Sequence, residues 1–186
     1  MEEKPLIQIM TEKASAVGAI VHEIRSVSDA LRYAVALNQK KKFLTMACPG
    51  LDPDNCKVLL DLCETSGMAL LEGPLRNHAA CLDTALTWVD YGIADTGTLM
   101  LASDSEDIRI ATMLSKIHIA MLPISKIRRN TGAIEQALNG ILTKDCPSYT
   151  AFITGPSRTA DIERVLAIGV HGPVELHLLL IRKMPA

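Results

Sequence analysis

Apolar positions in the first half of the chain alternate between two periods. LIQIMTEKASAVGA spaces its apolar residues as a helix and ends near Gly18, after which AIVHEI reads as a strand rich in β-branched residues. In RSVSDALRYAVALNQKKK, Ser26 or Ser28 offers an N-cap before Leu31, Ala34 and Val35, and the lysines fall at the C-terminal end, where the macrodipole favours them. FLTMA follows as a buried strand. LDPDNCKVLLDLCETSG predicts a further helix, with Asp52 as cap, Pro53 at the first helical position and Gly67 as the stop. Cys56, Leu59, Leu60 and Cys63 share one face of it, which assigns Cys56 and Cys63 to the core. MALLEG is again a short strand. Strand-length runs alternating with helical patterns are the signature of βαβ units, so the fold class expected is α/β: three layers with a mostly parallel central sheet and helices on both faces.

The second half is richer in strands and turns. ALTWVDYGIADTGTLMLAS carries strand candidates on both sides of an Asp-Thr-Gly-Thr interruption, and KIHIAMLP is another strand. TGAIEQALNGIL predicts a helix, YTAFIT a strand, and ELHLLLI is apolar enough to lie deep in a sheet. No repeat, linker or low-complexity stretch interrupts the pattern, and a single domain over residues 1–186 is expected.

Composition narrows the function classes. With 48% hydrophobic residues the chain can build a real core, and with 3% aromatics that core must be aliphatic. A net charge of -2 and so few aromatics deny both the electrostatic pull and the stacking platforms that nucleic-acid binding needs. The start, MEEKPLIQIM, is acidic where a secretory leader is basic, and no run approaches a membrane span, so a cytoplasmic location is expected. The five cysteines, Cys48, Cys56, Cys63, Cys81 and Cys146, form an odd set without a C-x-x-C pair, which argues against a disulfide framework and against local zinc or iron–sulfur ligation.

Signatures of nucleotide binding, serine hydrolysis and zinc proteolysis are absent: there is no G-x-G-x-x-G, no Walker motif, no G-x-S-x-G, and VHEIR lacks a second histidine. Three polar islands remain, ADTGT (94–98), TGPSRTADIE (154–163) and GVHGP (169–173), each placed as a loop at a strand end. At the carboxyl ends of strands in an open α/β sheet such loops present hydroxyls and free amides to an anion, with Gly97 and Gly155 allowing close approach. Each also has a plain structural reading. ADTGT can be a turn in which Asp95 bonds its own backbone and Gly97 takes a positive φ. TGPSRTADIE can be a turn into a short helix, capped by Ser157 or Thr159, with Asp161 in the first turn and Arg158 solvated. His171 can move protons or simply occupy a Gly-Pro turn; His177 reads as a satisfied or edge histidine, and His22, His78 and His118 have no partners at metal spacing. Lys40–Lys42 and the run 126–129 read as solvated ends of elements, with positioning of an anionic ligand or an acidic partner as the alternative for the second.

GIADTGTLML together with FITGPSRTADIERVLAIGVHGPVELHLLLI closely resembles the lactate utilization protein C family, or LUD domain, most strongly from Ala85 to Ile181. LASDSEDIRIATMLSKIHIAMLP departs from it by lacking a Leu-Pro-Pro-like element. The resemblance implies a fold similar to the sugar-phosphate isomerase and CoA-transferase superfamily. It implies a part in oxidation of L-lactate to pyruvate in bacteria, beside iron–sulfur partner proteins that carry the clusters, with no cofactor in this chain. The matching residues are Asp95, Thr96, Gly97 and Thr98, then Gly155, Ser157, Arg158, Thr159, Asp161 and Glu163, then His171 and Gly172.

Three roles follow from these expectations. One is a non-redox subunit of a lactate-oxidising complex. A second is an autonomous enzyme on a small carboxylate, phosphosugar or acyl thioester, with Asp161 or Glu163 as acid, base or nucleophile, His171 moving protons, and Arg158 with the Ser and Thr hydroxyls orienting an anion. A third is a metabolite-sensing assembly module that uses the same loops without turnover.

Overall fold

The computed structural model describes residues 4–143, 149–159, 167–168 and 172–183. The chain runs α1 (Leu6–Ala16), β1 (Ile20–Ile24), α2 (Val27–Lys41), β2 (Thr45–Ala47), α3 (Pro53–Thr65), β3 (Ala69–Leu70), β4 (Thr84–Trp88), β5 (Tyr91–Ile93), β6 (Thr98–Ser103), α4 (Glu106–Leu114), β7 (Ile117–Pro123), β8 (Ile127–Arg128), α5 (Glu135–Leu142), β9 (Tyr149–Ile153), β10 (Arg158–Thr159), β11 (Ala167–Ile168) and β12 (Glu175–Ile181). Six strands form the central sheet in the order β1-β12-β7-β4-β2-β3, and each neighbouring pair is parallel. A four-stranded sheet, β8-β5-β6-β9, lies beside it, and β10 pairs with β11.

The helices start and stop where the local chemistry dictates. Ser26 caps α2 by accepting from the Asp29 amide, and Asp52 caps α3 from the Asn55 amide with Pro53 at the first position. Helix α4 fills a stretch to which the sequence expectation assigns no element. Ser105 caps it and Glu106 and Asp107 occupy its first turn. It buries Ala111 and Thr112 and packs the half-buried Ile108 and Ile110 against the cores, but its nine residues are too few to establish a helical period in the sequence.

A parallel sheet needs cover on both faces. Ile117, Ile119 and Met121 of β7 pack with Leu179 and Ile181 against Ala30, Leu31 and Ala34 of α2 and Leu59 and Cys63 of α3. On the opposite face Ala120 and Leu122 pack with Leu176, Leu178 and Leu180 against Met10 and Ala14 of α1 and Leu99 and Leu101 of β6. The period of two along β7 and β12 thus separates two cores. Among the described residues no helix is long and apolar enough to cross a membrane.

One carboxylate ties three strand starts together. Asp83 Oδ2 accepts from the amides of Leu44 (3.0 Å) and Thr45 (3.2 Å) and from Thr45 Oγ1 (3.1 Å), while Oδ1 accepts from Lys116 Nζ at 2.6 Å. Burial opposes its ionisation, but the Lys116 ammonium and the two amides outweigh it and hold the carboxyl below the usual aspartate range. Asp83→Asn is expected to cost roughly 1–2 kcal/mol, because the amide keeps the shape but loses charge-assisted bonds. Urea denaturation of both proteins at pH 7 checks this, and an unchanged midpoint would remove Asp83 from the account.

Candidate functional site

The turn after β5 brings the first polar island onto helix α1. Gly97 has φ +66°, as the sequence reading expects, and donates its amide to the Ala94 carbonyl at 3.3 Å. A Cβ on Gly97 would lie 2.3 Å from the Ala14 backbone nitrogen. Asp95 does not close the turn with its side chain; its carboxylate pairs with Arg129 Nε at 3.1 Å. Gly155, at φ +74°, would place a Cβ 2.2 Å from the Val17 carbonyl oxygen. Both motif glycines are therefore seats for the C-terminal end of α1, a packing role distinct from ligand approach.

Strand pairing then joins the first two islands. β6 and β9 are antiparallel with Leu99 opposite Ile153, which sets Thr98 beside Thr154. Their hydroxyls are 2.9 Å apart, and Thr96 Oγ1 donates to Thr98 Oγ1 at 2.7 Å, forming a short chain of hydroxyls. The third island meets the second next to it: the Ser157 amide donates to the Pro173 carbonyl at 3.0 Å, and a Cβ on Gly172 would lie 2.9 Å from Ser157 Cβ.

Two features of the second island differ from the sequence expectation. Arg158 and Thr159 form β10, paired antiparallel with Ala167 and Ile168, so the chain leaves the turn as a strand, and the residues expected as a short helix lie outside the described ones. Arg158 is also not simply solvated. Its Nη2 donates to the Val17 carbonyl at 2.7 Å, which satisfies an acceptor just past α1, where cations are favoured. Asp161, Glu163 and His171 lie outside the described residues.

Where the islands meet there is a cleft of about 330 Å³. Thr154, Gly155, Ser157, Arg158 and Gly172 line one side, and Thr112, Met113, His118, Phe152 and Leu176 contribute to the rest. Asp95, Thr96, Gly97 and Thr98 are not among the lining residues; the ADTGT island reaches the cleft only through the Thr98–Thr154 hydroxyl contact. The cleft opens at the amino ends of β7 and β12, since His118 and Leu176 are second residues of those strands. That corrects the expectation of a site at the carboxyl ends of the sheet. It arises because TGPSR follows β9 of the smaller sheet while GVHGP precedes β12.

His118 is the cleft residue that sequence reasoning missed. It is buried, and its Nε2 is 2.9 Å from Thr87 Oγ1 on the neighbouring strand. Burial pushes its pKa down to about 4, so the imidazole is neutral at pH 7. The available signal was a histidine in the apolar run IHIAML: a polar ring there must find a partner. With His118 neutral, positive charge in the described part of the cleft comes from Arg158, and the Ser157 and Thr154 hydroxyls with the apolar Phe152, Met113 and Leu176 complete a lining suited to a small anion with an apolar body.

The other histidines sit elsewhere. His177 is buried, with Nδ1 2.7 Å from the Tyr33 hydroxyl and Nε2 3.0 Å from Glu175, and is a satisfied strand histidine as expected. Lys126 and Arg128 are not merely solvated, since they stand over the Tyr91 ring at 5.4 and 5.5 Å.

The architecture defines a three-layer α/β protein whose motif loops close one end of the central sheet. The LUD domain matches residues 7–181, and the chain belongs to that family. Among similar proteins are lactate utilization protein C of Anoxybacillus flavithermus, 38% identical over 96 residues, and lactate utilization protein C of Bacillus subtilis, 38% identical over 104 residues. The two alignments cover 52% and 53% of this chain and 42% of each relative, so the matched part spans less than half of those proteins. A crystal structure of a DUF162 family protein from Deinococcus radiodurans superposes with TM-score 0.61 at 16% identity, covering 95% of this chain and 96% of that one, which establishes the shared fold.

Proposed function

We propose that this chain acts in bacterial L-lactate utilization as a non-redox subunit that supports oxidation of L-lactate to pyruvate beside iron–sulfur partner proteins, and that its cleft holds a small carboxylate of that reaction. The observation that carries the reading is the meeting of the second and third motif loops on one cleft lined by Arg158, Ser157 and Thr154, which the ADTGT turn touches through the Thr98–Thr154 hydroxyl contact. The names of the relatives support the pathway. Electron transfer is assigned to the partners, and the fold's likeness to the sugar-phosphate isomerase and CoA-transferase superfamily is part of the same proposal. Arg158 supplies the charge for a carboxylate with its remaining guanidinium donors, and Ser157 orients it.

Reconstitution tests the role: partner proteins oxidising L-lactate at full rate without this chain would end it. Calorimetric titration with lactate and with pyruvate tests the site. Arg158→Met, which keeps the aliphatic stem, is expected to weaken carboxylate binding at least tenfold, about 1.4 kcal/mol. Equal affinity in wild type and variant would place the ligand elsewhere.

A further inference from the structure

A second cavity, of about 210 Å³, opens at the carboxyl ends of β2 and β3. The chain leaving β2 passes to α3 on one face of the sheet, and the chain leaving β4 passes to Val89 and the smaller sheet on the other. The cavity thus lies next to a topological switch point, the place in an open α/β sheet where reactive groups meet solvent. Cys48, the first residue after β2, and Cys56, in the first turns of α3, both line it, with Sγ atoms 3.8 Å apart. Cys56 therefore departs from its expected place in the core, since it is half-buried and faces Cys48, whereas Cys63, two turns further along the same face, is fully buried.

We propose that Cys48 and Cys56 are an oxidisable dithiol, a modification site that hydrogen peroxide converts to an intramolecular disulfide. One thiolate sulfur attacks a peroxide oxygen; the O–O bond breaks, leaving a sulfenic acid and releasing water. The second sulfur attacks the first, the S–O bond breaks, and a second water departs. Two thiols and one peroxide give one disulfide and two waters, with both electrons passing from sulfur to oxygen. The sulfurs need to close by about 1.8 Å to reach bonding distance. The connecting segment, Pro49–Asn55, turns at Gly50 (φ +80°) with the Leu51 amide bonded to the Cys48 carbonyl, so it already returns the chain to its partner thiol. Burial raises the Cys48 thiol above the ordinary range.

Trypsin isolates the pair, because the peptide 43–57 contains Cys48 and Cys56 while Cys63, Cys81 and Cys146 fall in other peptides. Full-length protein is treated with hydrogen peroxide, alkylated with iodoacetamide, digested without reductant and mapped by mass spectrometry. The expected result is a 43–57 peptide lighter by two hydrogens and carrying no alkyl group, restored to two alkyl groups by prior reduction. Cys48→Ser and Cys56→Ser should each abolish that species, and Cys81→Ser should leave it intact. Two alkylated thiols in 43–57 after Cys81 has been oxidised, a sulfinic acid at either position, or linkage of either cysteine to another peptide would each overturn the proposal. Mapping the wild-type chain decides the matter even if a serine variant fails to fold.

Discussion

Gly97→Ala is expected to cost roughly 3–5 kcal/mol of folding stability, a large share of what holds a domain of this size together. Two effects add. At φ +66° an L-residue pays about 1 kcal/mol for the left-handed region. The new methyl would also meet backbone atoms, Ala14 N at 2.3 Å, Lys13 C at 2.5 Å and Ala14 Cα at 2.6 Å, and a helix backbone cannot rotate aside as a side chain can. Helix α1 must therefore move, and with it the packing of Met10 and Ala14 into the core below β6 and β12. Gly67 provides the control. It has nearly the same φ, +68°, but nothing within 4 Å of its would-be Cβ, so Gly67→Ala should lose only the conformational part, about 1 kcal/mol. Urea denaturation of the two variants measures the difference, and equal losses would show that the close approach to α1 carries no weight.

That contrast explains what was legible in the sequence. The βαβ alternation, the caps at Ser26 and Asp52, the strand in KIHIAMLP and the depth of ELHLLLI follow from periodicity and local chemistry, and the described elements match them. The turn at Gly97 was legible too, because a single glycine between polar residues signals positive φ without outside help. What it touches was not, since the contact with Ala14 joins residues 83 positions apart and leaves no local pattern. The cleft suffered the same limit. Gly155, Ser157 and Arg158 were picked out by composition and do line it, yet the β6–β9 pairing that brings Thr98 to Thr154, and the entry of β7 that brings His118 beneath them, are tertiary facts. Helix α4 went unread for the opposite reason: its cap and acidic first turn are local signals, but nine residues are shorter than the window over which a helical period can be told.

Acid should unfold this protein earlier than its carboxylates alone would dictate, and His118 is the reason. Its folded pKa of about 4 lies below its unfolded value of 6.5 because burial disfavours the imidazolium. Below pH 6.5 the unfolded chain takes up a proton that the folded chain refuses, so stability falls as pH falls and levels out only near pH 4. The difference corresponds to about 3 kcal/mol in total. His177, also held below its ordinary value by burial despite the opposing pull of Glu175, adds a loss of the same sign. Asp83 and Glu175 are held below the usual carboxylate range, so their contributions are present above the unfolded carboxylate pKa and disappear only at lower pH than the histidine effect begins. The interval from pH 6.5 to 5 therefore isolates the histidines. His118→Gln, which can still reach Thr87 with its amide, should lose some stability at pH 7 but flatten the dependence in that interval by about 1 kcal/mol per pH unit. Denaturation curves at pH 7, 6 and 5 for both proteins supply the test: parallel pH profiles would mean that His118 takes up its proton in the folded cleft as readily as in the unfolded chain, and with that the neutral imidazole on which the reading of the cleft's charge depends would be lost.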